Sequence, residues 1–324
     1  MMPTPALEAR QLAKIYHGRR TALFGKAPVL RAVDGVSFTI APGEAFGLVG
    51  ESGCGKTTVG RLVSGAITPS SGEVLVENER FTRPMSLERR STVQVVFQDT
   101  LGALNPRLTI GRQLTEPLAI HGMNDPSRRL ATSLAKLEEV GLSGELLQRF
   151  PHELSGGQRQ RVVLARSLAL DPRILICDEA VSALDVSVQA HVVNLLGQLK
   201  ESRHLALLFI SHDLRVVNHI CERVGVMYFG RLVEVGLRAA VLGAAAHPYT
   251  RALVGALPGT KPDKRTSRRV LGGELPSPLS PPSGCPFHPR CVHARDICRE
   301  SVPELTTTDK DHAAACHRLG EIDA

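Results

Sequence analysis

Short apolar blocks, each stopping abruptly at a polar or glycine-rich cluster, set the rhythm of this chain. Ala45-Phe46-Gly47-Leu48-Val49 runs into Gly50, Val93-Gln94-Val95-Val96-Phe97 into Gln98, Ile174-Leu175-Ile176-Cys177 into Asp178, and Ala206-Leu207-Leu208-Phe209-Ile210 into Ser211. Blocks of this length bounded by turn residues read as β-strands. Residues 6 to 16 end in Lys14-Ile15-Tyr16; further strands are expected over Val36–Ile40, after a basic, glycine-containing loop reaching Pro28, and over Glu73–Val76. Two more, near Val224–Tyr228 and Arg231–Val235, are expected to complete the sheet. Between Gln98 and Leu154 the period changes: Leu130, Leu134, Leu137 and Val140 recur at three- and four-residue steps, the spacing of one helix face. Helices are also expected from Thr57, from Ser155, and from Asp185 to about Ser202. The pattern is an α/β core with a helical insertion. From Pro258 a tail follows whose six prolines between Pro276 and Pro289 leave no period for a further core.

The polar clusters at the strand ends carry the candidate chemistry. Gly50-Glu51-Ser52-Gly53-Cys54-Gly55-Lys56-Thr57-Thr58 has the spacing G-x-x-x-x-G-K-[ST] of a phosphate-binding loop between strand and helix. Its glycines let the backbone turn tightly and aim N–H groups inward, where the positive end of the following helix adds to the field. Lys56 supplies a charge for the β- and γ-phosphates of a nucleotide, and the Thr57 hydroxyl suits a Mg²⁺ ion. Asp178 and Glu179 stand at the carboxyl end of a strand, where open α/β sheets bind ligands. Asp178 is placed to hold Mg²⁺ through water, and Glu179 to accept a proton from an attacking water. Leu154-Ser155-Gly156-Gly157-Gln158 opens a helix with Ser155 as N-cap, a second anion-binding helix start. His212 follows a strand as Asp178 does. Cys54, Cys177 and Cys221 read as isolated thiols, with Cys54 the most open to oxidation or alkylation.

Composition narrows the setting. With 324 residues, 43% of them hydrophobic and 22% charged, the chain accommodates one large domain plus an appendage. Leu205–Ile210, among its longest apolar runs, falls short of the roughly 20 residues of a membrane span. The first residues, interrupted by Glu8, Arg10 and Lys14, lack the apolar segment of a secretory signal, so the expectation is a cytosolic chain. Part of the net charge of +7 sits in Lys261–Arg269, which reads as a solvated linker rather than a nucleic-acid surface.

Taken in order, the phosphate loop, Gln98, Leu154-Ser155-Gly156-Gly157-Gln158, Asp178-Glu179, Ser182-Ala183-Leu184-Asp185 and His212 resemble the ATP-binding cassette (ABC) family over about residues 6 to 240. The resemblance implies an α/β, P-loop nucleotide-binding domain over residues 1–257. That domain would combine a RecA-like core, an antiparallel β subdomain and a helical subdomain at about 99–169, with a cysteine-bearing extension over 258–324. It also implies ATP and Mg²⁺. Tyr16 would stack on adenine, a role its ring suits physically. Gly50 to Thr58 would surround the phosphates, and Thr57, Gln98 and Asp178 the metal. Glu179 would be the general base, Gln98 its neighbour at the reacting phosphate, and His212 a contact of the γ-phosphate. Ser155, Gly156, Gly157 and Gln158, with Asp185 nearby, match the signature that closes over ATP held by another subunit, so two cassettes must pair head to tail. Ala180 and Thr100 stand where proline is common, which loosens two turns without removing a catalytic group.

Closer resemblance comes from Val96-Phe97-Gln98-Asp99, Leu104-Asn105-Pro106-Arg107, Leu184-Asp185-Val186-Ser187 and His247-Pro248-Tyr249-Thr250. Together these are similar to an ATPase subunit of the dipeptide/oligopeptide (and nickel) importer group, the Val186-Ser187 form matching the second of two non-identical ATPases. The implied partners are a second cassette ATPase in a heterodimer, two membrane permeases touching residues 99 to 153, and an extracytoplasmic binding protein reached through them. The implied place is peripheral, on the cytoplasmic face of the membrane, with no nucleic acid. The alternative is a soluble cassette ATPase acting on DNA or ribosomes. Such proteins usually carry two cassettes in one chain or a long coiled-coil insertion, and neither is present in this sequence.

Cys285, Cys291, Cys298 and Cys316 have five, six and seventeen residues between them. Four sulfurs in a loop-rich segment suit Zn²⁺ or an iron–sulfur cluster, or stand as free thiols; the C-x-x-C pairs of zinc ribbons are missing. The resemblance to importer ATPases implies a [4Fe–4S] cluster with a structural role, a redox switch being the further alternative.

Overall fold

The protein is described by a computed structural model covering residues 4–18, 28–81, 83–97, 99–182, 184–256, 276–309 and 311–322. Gln98, Ala183 and the basic run Lys261–Arg269 therefore lie outside the described residues. In chain order the strands are β1 (Leu7–His17), β2 (Val29–Ile40), β3 (Ala45–Val49), β4 (Ser71–Val76), β5 (Glu79–Arg80), β6 (Val93–Phe97), β7 (Ile174–Asp178), β8 (Ala206–Ser211), β9 (Arg223–Tyr228), β10 (Arg231–Leu237), β11 (Thr306–Asp309) and β12 (His312–Ala314). The α-helices are α1 (Lys56–Val63), α2 (Leu87–Thr92), α3 (Thr100–Ala103), α4 (Ile110–Ile120), α5 (Pro126–Glu139), α6 (Gly156–Leu168), α7 (Val186–Arg203), α8 (Leu214–Ile220), α9 (Arg238–Gly243), α10 (Pro248–Gly255) and α11 (Ile297–Glu300).

Two sheets form. One is antiparallel, in the order β2-β1-β4-β5; the other runs β11-β12-β10-β9-β3-β8-β7-β6, with β9, β3, β8, β7 and β6 parallel. The uninterrupted apolar blocks are explained by alternation between two cores. In β3, Phe46 and Leu48 face the antiparallel sheet while Ala45 and Val49 face the helices; in β8, Ala206, Leu208 and Ile210 divide from Leu207 and Phe209 in the same way. A sheet covered on both faces has no polar side, so its strands read as apolar throughout. Helix α1 closes the first core with Val59, Leu62 and Val63, and Phe38 stacks on Phe46 with ring centroids 4.9 Å apart.

The insertion is helical as expected. Ile110, Leu114, Leu137 and Val140 pack with Val162, Val163 and Ala165 of α6 on the second core. Leu130 departs from the expected stripe: it is 46% exposed, because the first turns of α5, capped by Asp125, project beyond the core.

The largest difference from expectation is the tail. Strand β10 does not end the sheet; β12 pairs with it antiparallel through Glu234↔Ala314, Val235↔Ala313 and Gly236↔His312, and β11 pairs with β12. Cys285, Phe287 and Cys298 join the main core. Phe287 is buried, with its ring 5.3 Å from that of Tyr228 and 5.5 Å from that of Tyr249. One aromatic anchor and three paired residues dock the segment without any apolar period, which is why periodicity does not reveal them. The carboxylate of Glu234, fully buried, accepts the N–H groups of Ala246 and His247 and a contact from His312 Nε2 at 2.7 Å. His247 caps α10 through its Nδ1, which accepts the N–H of Tyr249 at 3.0 Å, and burial pushes its imidazole down to about 3.

Two outcomes are expected. Phe287→Ala should destabilise the chain by about 3–5 kcal/mol, the usual range for emptying a buried aromatic site. An unchanged urea midpoint would mean the tail does not share the core. For His247, the unfolded chain regains the ordinary value of 6.5, so between about 3 and 6.5 unfolding takes up a proton and stability falls as pH falls. His247→Asn, which keeps a capping side chain, should therefore show a shallower loss of stability from about pH 7 to about pH 4.5 than the wild type; equal slopes would refute the assignment.

Candidate functional site

Parallel pairing levels the strand ends. Val49 pairs with Ser211, Ile210 with Asp178, and Asp178 with Phe97, so the chain leaves β3, β8, β7 and β6 along one edge. The next residues at that edge are Gly50, His212 and Glu179, with Gln98 following β6 outside the described residues. This is how motifs far apart in sequence meet.

The phosphate loop turns at Gly50 and Gly55. A Cβ at Gly50 would stand 2.2 Å from the Met227 carbonyl oxygen, and one at Gly55 2.2 Å from that of Ala32; Gly55 also takes φ +106 as it enters α1. Only glycine fits both. Lys56 is buried at 4% exposure, its Nζ donating to the carbonyls of Gly50 at 2.8 Å and Glu51 at 3.0 Å. The Thr57 hydroxyl donates to Asp178 Oδ1 at 3.2 Å. Burial pushes the Asp178 carboxyl up and the neighbouring Glu179 adds to this, while the Thr57 hydrogen bond opposes them. A buried carboxylate beside a second acid and a hydroxyl fits a divalent cation, which favours hard oxygen donors. Thr57 and Asp178 are the described residues that would hold Mg²⁺.

Glu179 leaves β7 in the left-handed region, at φ 50, and its N–H donates to the Ile210 carbonyl at 2.9 Å. The Ser182 hydroxyl donates back to the Glu179 carbonyl, also at 2.9 Å. The Glu179 carboxylate lies 3.5 Å from His212 Nδ1. Tyr16 stands next to the end of β1 at 39% exposure, with Lys14 Nζ 5.4 Å from its ring centroid. Ser155 caps α6 as the sequence suggests: its hydroxyl accepts the Gln158 N–H at 3.2 Å and Gln158 Oε1 accepts the Ser155 N–H at 2.9 Å. Gly157 packs so closely on Val188 that a Cβ would stand 2.5 Å from its Cγ1. The signature thus lies beside the start of α7, where Asp185 is exposed and makes no side-chain cap.

Some expectations are corrected. Cys54 is 6% exposed and burial pushes its thiol up, so it is not an accessible reactive group; Cys177 is pushed up to about 12 and Cys221 is buried as well. Glu51 has protein partners that the sequence does not reveal. Its N–H donates to Tyr249 Oη at 2.9 Å and its carboxylate is paired with Arg290 at 2.8 Å and 3.1 Å. Sequence reasoning missed Arg290 because its partner lies 239 positions away, and neither residue carries a local signal of pairing.

The four tail cysteines do converge, lining one narrow pocket with His288, His293 and His317. Burial pushes the thiols of Cys285, Cys291 and Cys316 up, Cys285 to about 11. Among the described residues, however, no group of three or more His, Cys, Asp or Glu is placed to hold a metal ion. The arrangement is that of neighbouring thiols.

A loop of G-x-x-x-x-G-K-T spacing at the end of a parallel strand, with a carboxylate pair two strands away, is the arrangement of the P-loop nucleotide-binding proteins. The ABC transporter profile matches residues 33–182, and that of the oligopeptide/dipeptide transporter C-terminal region matches residues 233–298. The dipeptide transport ATP-binding protein DppF of Haemophilus influenzae is 44% identical over 322 residues, covering 98% of this chain and 97% of its own. The oligopeptide transport ATP-binding protein AppF of Bacillus subtilis is 45% identical, covering 96% of each. Among solved structures, the dimeric ATP-binding cassette MJ0796 bound to ADP and phosphate superposes with a TM-score of 0.63 at 26% identity, over 72% of this chain and 98% of that one. The chain belongs to the ABC transporter family, as one of its ATPase subunits.

Glu179→Gln should keep ATP bound while reducing turnover by at least about 100-fold, the scale of a lost general base. Single-turnover hydrolysis at the wild-type rate would remove Glu179 from that role.

Proposed function

We propose that this chain powers the import of dipeptides or oligopeptides through a membrane permease pair. The observation that carries the reading is the joint match of cassette and C-terminal region, with relatives named for peptide transport that align over nearly their whole length. Lys56 and the N–H groups of the loop hold the phosphates of ATP, and Tyr16 stacks on its adenine. Thr57 and Asp178, with Gln98, hold Mg²⁺, which when bound draws charge from the phosphate oxygens. Glu179, whose carboxylate lies 3.5 Å from His212 Nδ1, takes the proton of the water that attacks the γ-phosphorus as ADP leaves, and His212 contacts the γ-phosphate. Ser155, Gly156, Gly157 and Gln158, with Asp185, meet the nucleotide of a second cassette, a non-identical ATPase. Closure of that heterodimer moves two permeases contacted through residues 99 to 153, and hydrolysis resets it.

The protein in this reading sits on the cytoplasmic face of the membrane, fed by an extracytoplasmic binding protein. No described helix is long and apolar enough to cross the bilayer; in this reading the permeases hold the chain at the membrane. Residues 1–257 act as the nucleotide-binding unit and 258–324 as its extension. We assign the four-thiol pocket to a [4Fe–4S] cluster, with Zn²⁺ as the competing occupant; what supports this is the convergence of four sulfurs on one pocket.

The test is anaerobic affinity purification of the chain from detergent-solubilised membranes, with identification of its partners and elemental analysis. Two permeases and a second cassette, with about four irons and four sulfides per chain, are the expected result. Ribosomal or nucleoid proteins in their place would overturn the transport reading, and zinc or metal-free protein the cluster.

A further inference from the structure

Glu51 places a carboxylate in the phosphate loop, where the surroundings must attract polyphosphate. The structure shows how it is tolerated. Arg290, from the tail, meets it with two parallel bonds, Nη1 to Oε2 at 2.8 Å and Nη2 to Oε1 at 3.1 Å. Such two-bond pairs fix geometry as well as charge. The pair is sheltered: the Arg290 side chain is 6% exposed and that of Glu51 22%. The guanidinium also lies over the Tyr228 ring, 5.9 Å from its centroid, and Tyr228 stands on β9 beside the loop's own strand.

The backbone of residue 51 is held as firmly. Its N–H donates to Tyr249 Oη on α10, and its carbonyl accepts Lys56 Nζ at 3.0 Å. One of the two carbonyls that position the phosphate-binding lysine therefore belongs to the residue that the tail holds. Tyr249 is fully buried and packs on Phe287 of the same tail segment. Helix α10 and the tail thus converge on one residue of the loop.

We infer that Arg290 is a positioning residue of the ATP site: by pairing with Glu51 it withdraws a negative charge from the phosphates and fixes the loop that carries Lys56, so that ATP affinity depends on the docked tail. The inference rests on reading residues 50–58 as the ATP site. A tail that served only to stabilise the fold would affect binding without regard to the charge at position 51.

The experiment measures MgATP affinity of the purified full chain by calorimetric titration in a double-mutant cycle. Arg290→Ala should weaken binding about tenfold in the wild-type background, the size of a coupled charge pair. In a Glu51→Gln background, where no carboxylate is left unpaired, the same change should alter affinity by no more than about twofold. An equal loss in both backgrounds overturns the proposal, as does an unaltered affinity in Arg290→Ala. Thermal melts check folding, and Arg290→Gln, which keeps much of the side-chain volume, is read in its place if the alanine variant does not fold. Lys56→Ala, run alongside, separates the two levels of the argument. Retained ATP binding there means the loop is not the ATP site and both readings fall, whereas lost binding beside an unaltered Arg290→Ala removes only the role of Arg290.

Discussion

Backbone hydrogen bonds hold β3, β8, β7 and β6 parallel and level, and the positions of Asp178, Glu179 and His212 follow from that ladder. A one-residue slip between β7 and β8 would turn Ile174 and Ile176 toward the wrong core and displace Asp178 from the Thr57 hydroxyl. The two cores prevent the slip, because each strand has apolar side chains committed to both faces. Precision at the polar edge is thus a product of packing several residues away.

Much of this was legible before any coordinates. The apolar blocks gave the buried strands because a sheet covered on both faces leaves no polar position to confuse the pattern. The Gly50–Thr58 spacing, the Asp178-Glu179 pair and the Ser155 cap are local devices, and local devices survive in the sequence. The conformation of Glu179 was not legible, since its left-handed backbone depends on an N–H bond to Ile210 of a neighbouring strand. Burial of Cys54 was hidden for the same reason: loops are usually exposed, and this one is roofed by β9 and β2 through Met227 and Ala32.

The tail shows the limit most clearly. Prolines and scattered cysteines announce no periodic core, and Phe287 reads as a lone aromatic. Its contribution comes from where it lands, between Tyr228, Tyr249 and His247. The motif His247-Pro248-Tyr249-Thr250, noted for resemblance alone, acquires a physical meaning: His247 caps the helix, Tyr249 holds the loop, and the tail packs on both.

The hairpin β11–β12 has one more effect, on the behaviour of the sheet's rim. With β12 in place, the bonding groups of β10 are occupied, and the outermost strand is the short, fully exposed Thr306–Asp309, polar along its whole length. Strands of that kind are poor templates for another chain. A nascent or clipped chain without the hairpin presents β10 instead, with three residues of free backbone and a buried Glu234 deprived of His312. Such an edge is open to intermolecular pairing, and the hairpin covers it.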